Sequence, residues 1–156
     1  MELMFLPYDA QQVAQLRAGG PDAYGMPAER AISDGNGNPC RCCLHDVPKG
    51  AEMLICAARP FGPLQPYAET GPVFFCAEDC TPYVGVDLPP VLTTSPEYLV
   101  KAYDENERIV YGTGQITNSV HIQDYAAGLL ERPEIAFVDV RSARNNCFQT
   151  RIVRRR

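Results

Sequence analysis

Five of the seven cysteines fall in two short segments, Pro39-Cys40-Arg41-Cys42-Cys43-Leu44-His45-Asp46 and Phe74-Phe75-Cys76-Ala77-Glu78-Asp79-Cys80. Cys40 and Cys43 form a C-x2-C pair, and Cys76 and Cys80 form a C-x3-C pair. Two residues between thiolates let one tight turn aim both sulfurs at a common point, as a tetrahedral Zn²⁺ requires. The hydrophobic lead-in to Cys76 predicts a strand that delivers it, with a turn adding Cys80. The expected ligand set is Cys40, Cys43, Cys76 and Cys80, with zinc as cofactor and with Cys42 and His45 as substitute ligands. The plain alternative is a set of reduced, half-buried cysteines beside a loop.

The same residues also allow thiol–redox chemistry. Arg41 sits next to Cys40 in sequence, and an adjacent guanidinium lowers a thiolate pKa and raises its reactivity. A vicinal Cys42–Cys43 disulfide would be strained, because neighbouring Cα atoms lie about 3.8 Å apart, below the usual disulfide range. No thioredoxin-like strand-then-helix context surrounds the pair.

A second candidate site lies in the last third. Asp139 and Arg141 are two apart on one predicted strand and so share a face. Asn145, Asn146 and Cys147 come from the adjoining turn. A carboxylate, a guanidinium, an amide and a thiol together could bind a small polar ligand or run acid–base and nucleophile chemistry. The plain alternative is an Asp–Arg ion pair beside a capped turn. An enzyme reading joins the two sites: Cys40 and Arg41 would meet the Asp139–Cys147 hairpin, with Cys40 and Cys147 in one pocket beside an arginine. His121, at the start of a predicted helix, has no visible partner and reads as a surface residue.

A chain of 156 residues suits one domain that buries roughly 70% of its unfolded-chain surface. With 46% hydrophobic and 21% charged residues, it has the balance of a globular protein. No apolar run approaches the roughly 18–20 residues of a membrane span, and the start lacks the basic region of a signal peptide. A cytoplasmic location is therefore expected. Thiols stay reduced there, so seven cysteines argue for metal, catalysis or burial before disulfides. Charge is unevenly spread: all 19 acidic residues fall at or before Asp139, while residues 141–156 hold six arginines and no acid. The plain reading is a basic terminal strand against an acidic body. A small anionic ligand or a protein partner suits this pattern better than nucleic acid, for which one short basic segment is a weak signal.

The elements that must position these residues can be read in order. Asp9-Ala10-Gln11-Gln12 is a capping box opening a short helix that Gly19-Gly20 ends. Residues 21–39, with Asp34-Gly35-Asn36-Gly37-Asn38, read as a loop feeding the cysteines. Met53–Ala58 reads as a buried strand, with Cys56 a small core hydrophobe. Prolines 60, 63, 66 and 72 make residues 59–72 an irregular loop, and Val73–Cys76 is the next strand. Val84–Pro90 is a second proline-marked loop. Ser95-Pro96 predicts a helix start carrying Leu99, Val100 and Tyr103. Residues 108–117 read as a strand pair or one strand bulged at Gly112 and Gly114. Ile122, Tyr125, Ala126, Leu129 and Leu130 form one helical face, stopped by Pro133. Ile135–Val140 and Cys147–Val153 are strands joined by a turn at residues 142–146. The fold class is α+β: a mainly antiparallel sheet, two or three packed helices and a Cys-rich loop region, in one domain over 1–156.

Two resemblances follow. The C-x2-C pair and the Phe-Cys-x-x-x-Cys half resemble a treble-clef finger over about 40 residues. The 32-residue spacer is longer than that pattern, and Thr81-Pro82 disfavours the helix that normally follows its last ligand. Across nearly the whole chain, Pro39-Cys40-Arg41, Gly50-x-Glu52, Pro66-Tyr67, Gly71-Pro72-Val73-Phe74, Tyr111-Gly112, Phe137-Val138-x-Val140-Arg141 and Ala143-Arg144-Asn145-x-Cys147-Phe148 resemble the bacterial family known as domain of unknown function 1203. That resemblance implies a fold and no mechanism. It further implies that Cys43, Cys76 and Cys80 belong to this chain and close relatives, while Cys40, Arg41, Arg141 and Cys147 are candidates for a shared role. The resulting expectation is a small binding or interaction module with a structural zinc, against the rival of an enzyme or thiol–redox protein.

Overall fold

The N-cap half of the capping box forms at its expected place: the Asp9 carboxylate accepts the Gln12 N–H at 2.9 Å, removing one orphan donor of the helix start. In the computed structural model, which describes all 156 residues, the elements in chain order are β1 (Leu3–Leu6), α1 (Ala10–Arg17), β2 (Glu29–Ile32), β3 (Glu52–Ala58), β4 (Gly71–Cys76), β5 (Glu97–Tyr103), β6 (Gln115–Asn118), α2 (Ile122–Leu130), β7 (Phe137–Ser142) and β8 (Phe148–Arg154). Short 3-10 turns occupy Pro90–Thr93 and Ser119–His121. The fold class is α+β with antiparallel sheets, as the sequence led us to expect. The chain divides into two compact bodies, Pro7–Tyr83 and Met1–Leu6 with Val84–Arg156.

The Pro7–Tyr83 body is built on the antiparallel sheet β2-β3-β4. Leu54 faces Phe75 and Cys56 faces Val73 across β3 and β4. All four side chains are buried, and the residues alternating with them, Ile55, Ala57 and Phe74, are half-buried on the other face, so the near-continuous apolar runs reflect cover on both faces. Burial pushes the Cys56 thiol up to about 11, which fits a core residue. Strand β2 was not evident in the sequence. Its four residues are mostly exposed, and they carry neither alternation nor a β-branched run. Their pairing with β3, in register from Glu29–Ile55 to Ile32–Glu52, comes from β3 offering an edge.

The second body is a five-stranded sheet in the order β1-β8-β7-β5-β6, every pair antiparallel. Strand β5 corrects the helix expected after Ser95-Pro96. The start signal is local, whereas Tyr98, Val100, Ala102 and Tyr103 are buried between two partner strands, β6 and β7. A ladder on both sides outweighs a helix-capping preference of about 1 kcal/mol. The strand expected over 108–117 shortens to β6, because Gly112 at φ 88° turns the chain before it.

Helix α2 spans the residues its periodicity predicts. Ile122, Ala126, Leu129 and Leu130 are buried, and the helix lies against β5, β6, β7 and β8. Val100, Val138, Val140 and Ile152, paired across three strands, are fully buried as well. Strands β7 and β8 pair across the expected turn, with a register shift between Val140 and Arg141. Leu129→Ala is expected to lower unfolding free energy by about 2–5 kcal/mol in a urea titration, as a large-to-small change in a packed face. A change below about 0.5 kcal/mol, the range of surface substitutions, would place that face in solvent.

Candidate metal centre

Two segments of the Pro7–Tyr83 body meet at the cysteines. The first is a hairpin tip. Pro39 and Asp46 form an antiparallel bridge, the Leu44 N–H donates to Cys40 O at 3.0 Å, and the Cys40 N–H donates to His45 O at 2.9 Å. Leu44 adopts φ 55°, a left-handed conformation that costs a non-glycine residue roughly 1–3 kcal/mol. Its complete burial helps offset that cost. The preceding loop is tied down by its own side chains. Asn38 Nδ2 donates to Ser33 Oγ at 3.0 Å and Asp34 Oδ1 at 2.7 Å, and Ser33 Oγ donates to Val47 O at 2.8 Å. Gly35 is obligatory there, since φ is +80° and an added Cβ would lie 2.8 Å from Lys49 Cβ.

The second segment is β4, which ends on Cys76. Cys40 forms a parallel bridge with Phe74, the Arg41 N–H donates to Phe74 O at 3.1 Å, and the Cys76 N–H donates to Cys40 Sγ at 3.2 Å. These bonds fix the hairpin tip to the strand. The sulfurs of Cys40, Cys43, Cys76 and Cys80 then all lie within 4.8 Å of one another, with Cys40 and Cys80 at 3.8 Å. A tetrahedral site with sulfur–zinc bonds of about 2.3 Å has sulfurs roughly 3.8 Å apart. The four cysteines fit such an ion with shifts of about an ångström or less. They could hold a metal ion.

Charge among the sulfurs explains why a cation suits them. The Cys43 thiol, then the Cys76 thiol, stabilise a Cys40 thiolate and hold it well below the ordinary thiol range. The bond to Cys40 in turn pushes Cys43 up to about 12, and Cys40 followed by Cys43 pushes Cys76 up further still. A thiolate at Cys40 thus keeps Cys43 and Cys76 as thiols, and ionising those two requires added positive charge.

Part of that charge comes from a residue the sequence did not single out. Arg17, in the last turn of α1, donates Nη2–H to Cys80 Sγ at 3.1 Å and Nε–H to Cys76 O at 3.0 Å, and its Nη1 lies 3.6 Å from Asp79. Nothing in its surroundings marks it, because the contact spans 63 residues. Arg41 donates Nη1–H to Pro39 O at 2.7 Å and lies 5.7 Å over the Phe74 ring. Cys42 is buried outside the group of four. Burial, and then the nearby Cys80, pushes its thiol up to about 12. The His45 side chain is exposed and outside the group.

The remaining candidates lie in the other body. Asp139 is fully buried and forms an ion pair with Arg151 across the β7–β8 ladder, with the Arg141 and Lys101 charges also acting on it. Arg151 Nε and Nη2 donate to the two carboxylate oxygens at 2.7 and 3.0 Å. Burial pushes the carboxyl up against the pull of that guanidinium. Arg151 also lies 3.6 Å over the Phe137 ring. Arg141 Nη1 donates to Asn146 O at 2.9 Å, and its guanidinium is 6.0 Å from the Phe148 ring. Asn145 is exposed, and its carbonyl faces Cys147 Sγ at 3.7 Å. The terminal arginines serve the fold too: Arg154 donates to Leu130 O and Arg132 O at the end of α2, and Arg155 pairs with Glu2.

A family model described as protein of unknown function (DUF1203) matches residues 37–154. No curated protein and no solved structure matches the chain. No helix is long and apolar enough to cross a membrane. Because Arg17 orients one sulfur and offsets its charge, Arg17→Gln is expected to weaken divalent-metal binding by about ten- to a hundredfold, the usual cost of losing an outer-sphere partner. Competition with a chromogenic chelator measures it, and unchanged affinity would make Arg17 a bystander.

Proposed function

The chain belongs to the DUF1203 family of proteins of unknown function, and on that premise we propose that this member is a small binding or interaction module carrying a structural zinc centre on Cys40, Cys43, Cys76 and Cys80. The observation that carries the reading is the approach of four sulfurs, from residues up to 40 apart, to within 4.8 Å. Four protein ligands leave no open position, which is the pattern of a structural rather than a catalytic zinc. All seven cysteines are free thiols, which suits a reducing, cytoplasmic setting where a metal takes the place of disulfide cross-links. Soft thiolate ligands suit Zn²⁺ and iron alike. The absence of redox chemistry in Zn²⁺ matches a role in holding the hairpin to β4.

The enzyme reading draws less support. Asp139 is engaged by Arg151, and the thiols best placed for chemistry are those grouped with three other sulfurs. Metal analysis of the purified protein should give about one zinc per chain. Chelation should then lower stability by about 4 kcal/mol for a metal present at roughly a thousand times its Kd. Metal-free protein with the same melting temperature would overturn the proposal.

Alkylation separates the metal from the redox reading. In the metal-loaded protein, mass spectrometry after brief iodoacetamide treatment should show Cys147 modified and the four grouped cysteines protected. Chelator should expose those four, while thiolates bound to metal lose nucleophilicity. A grouped cysteine that reacts at the same rate with and without chelator would favour thiol chemistry.

A further inference from the structure

The Pro7–Tyr83 body also holds a polar cavity of about 260 Å³, lined by residues that include Tyr8, Gln12, Gln15, Asp22 and Arg59. Two of them carry opposite charges, and they do not pair with each other. Asp22 is instead held by three backbone N–H groups. Its Oδ1 accepts the Tyr24 and Met26 N–H groups at 2.9 and 3.0 Å, and its Oδ2 accepts the Ala57 N–H at 2.9 Å. Burial pushes its carboxyl up, but these three bonds outweigh it and hold the group below the ordinary carboxylate value. It is therefore an anion held rigidly in place, with lone pairs left over on Oδ2.

Arg59 is the reverse case. Its Nε is buried with no acceptor, and no carboxylate pairs with its guanidinium. A buried donor without a partner costs about 1–3 kcal/mol, so such a group in a native fold calls for an explanation. Tyr8 presents its hydroxyl on the same cavity, with the Arg59 backbone N–H as a neighbour. Gln12 and Gln15, on the exposed side of α1, add two carboxamides that can donate or accept.

We propose that this cavity binds a small zwitterion of the α-amino-acid class, its carboxylate on the Arg59 guanidinium and its ammonium on the Asp22 carboxylate. The Tyr8 hydroxyl and the Gln12 and Gln15 carboxamides remain for the ligand's side chain. Charge selects the class. A phosphate dianion would leave the site net negative beside Asp22, and a simple carboxylate would leave Asp22 unmatched. Size agrees, since the cavity lies just below the roughly 300–1,000 Å³ of pockets for drug-sized ligands. The guanidinium fork matches a carboxylate in two parallel bonds. This site shares no residue with the cysteine group and does not depend on the metal reading.

The test uses the full, metal-loaded chain and nitrogen-15 NMR, with each standard amino acid added in turn at about 10 mM, a level that populates a site of millimolar Kd. At least one should shift the amide signals of Ala23, Ala57 and Arg59 in a saturable way. Acetate, ethylammonium and inorganic phosphate should each bind at least about tenfold more weakly than that amino acid. Arg59→Gln should weaken binding by about tenfold or more while the ligand-free melting temperature stays level or rises, since an unpartnered donor is removed. Arg59→Lys, which keeps the charge without the fork, should fall between the two. Silence from every amino acid, equal binding of acetate or phosphate, full affinity in Arg59→Gln, or a large loss of ligand-free stability in both variants would each overturn the proposal.

Discussion

The cysteine-bearing part of the Pro7–Tyr83 body answers to one constraint: a hairpin tip and the end of a strand, far apart in sequence, bring four sulfurs together. Thiolates repel one another, so they do not converge unaided. Backbone bonds hold them there. The parallel bridge between Cys40 and Phe74 and the bond from the Cys76 N–H to Cys40 Sγ set the register. Slipping that register by one residue would reverse the face of Cys76 and empty the site of one ligand. The Ser33–Asp34–Asn38 network and the left-handed Leu44 serve the same end, because each fixes the hairpin that carries Cys40 and Cys43.

The electrostatics of the group follow from that geometry. The Cys43 and Cys76 thiols favour a thiolate at Cys40, and Arg17 reaches the group from the end of α1 through Cys80. A divalent cation would complete the balance that one arginine begins. Four thiolates around a Zn²⁺ ion would carry two negative charges in excess, a setting that suits a guanidinium with just 13% of its side chain exposed. The other body reaches stability by ordinary means, with an apolar helix face on a five-stranded sheet and a bidentate Asp139–Arg151 pair inside it.

Much of this was written in local sequence. The paired cysteine spacings, the Asp9 cap and the Ile122–Leu130 stripe each reflect constraints that act within a few residues, and each was legible. What escaped was set by distant partners. Glu97–Tyr103 carries a good helix start but becomes a strand because β6 and β7 supply both ladders. Arg17 reaches the sulfurs across 63 residues with no pattern to announce it. Asp139 looked two residues along its own strand for a cation and found one on the neighbouring strand, since Arg151 is its cross-strand partner.

The central claim is that the hairpin and β4 are joined through one metal ion held only by sulfur. X-ray absorption at the metal edge of the purified protein tests it most directly. The account predicts a zinc edge with four sulfur scatterers at about 2.3 Å. A first shell containing nitrogen or oxygen at about 2.0–2.1 Å, or no bound metal at all, would contradict it.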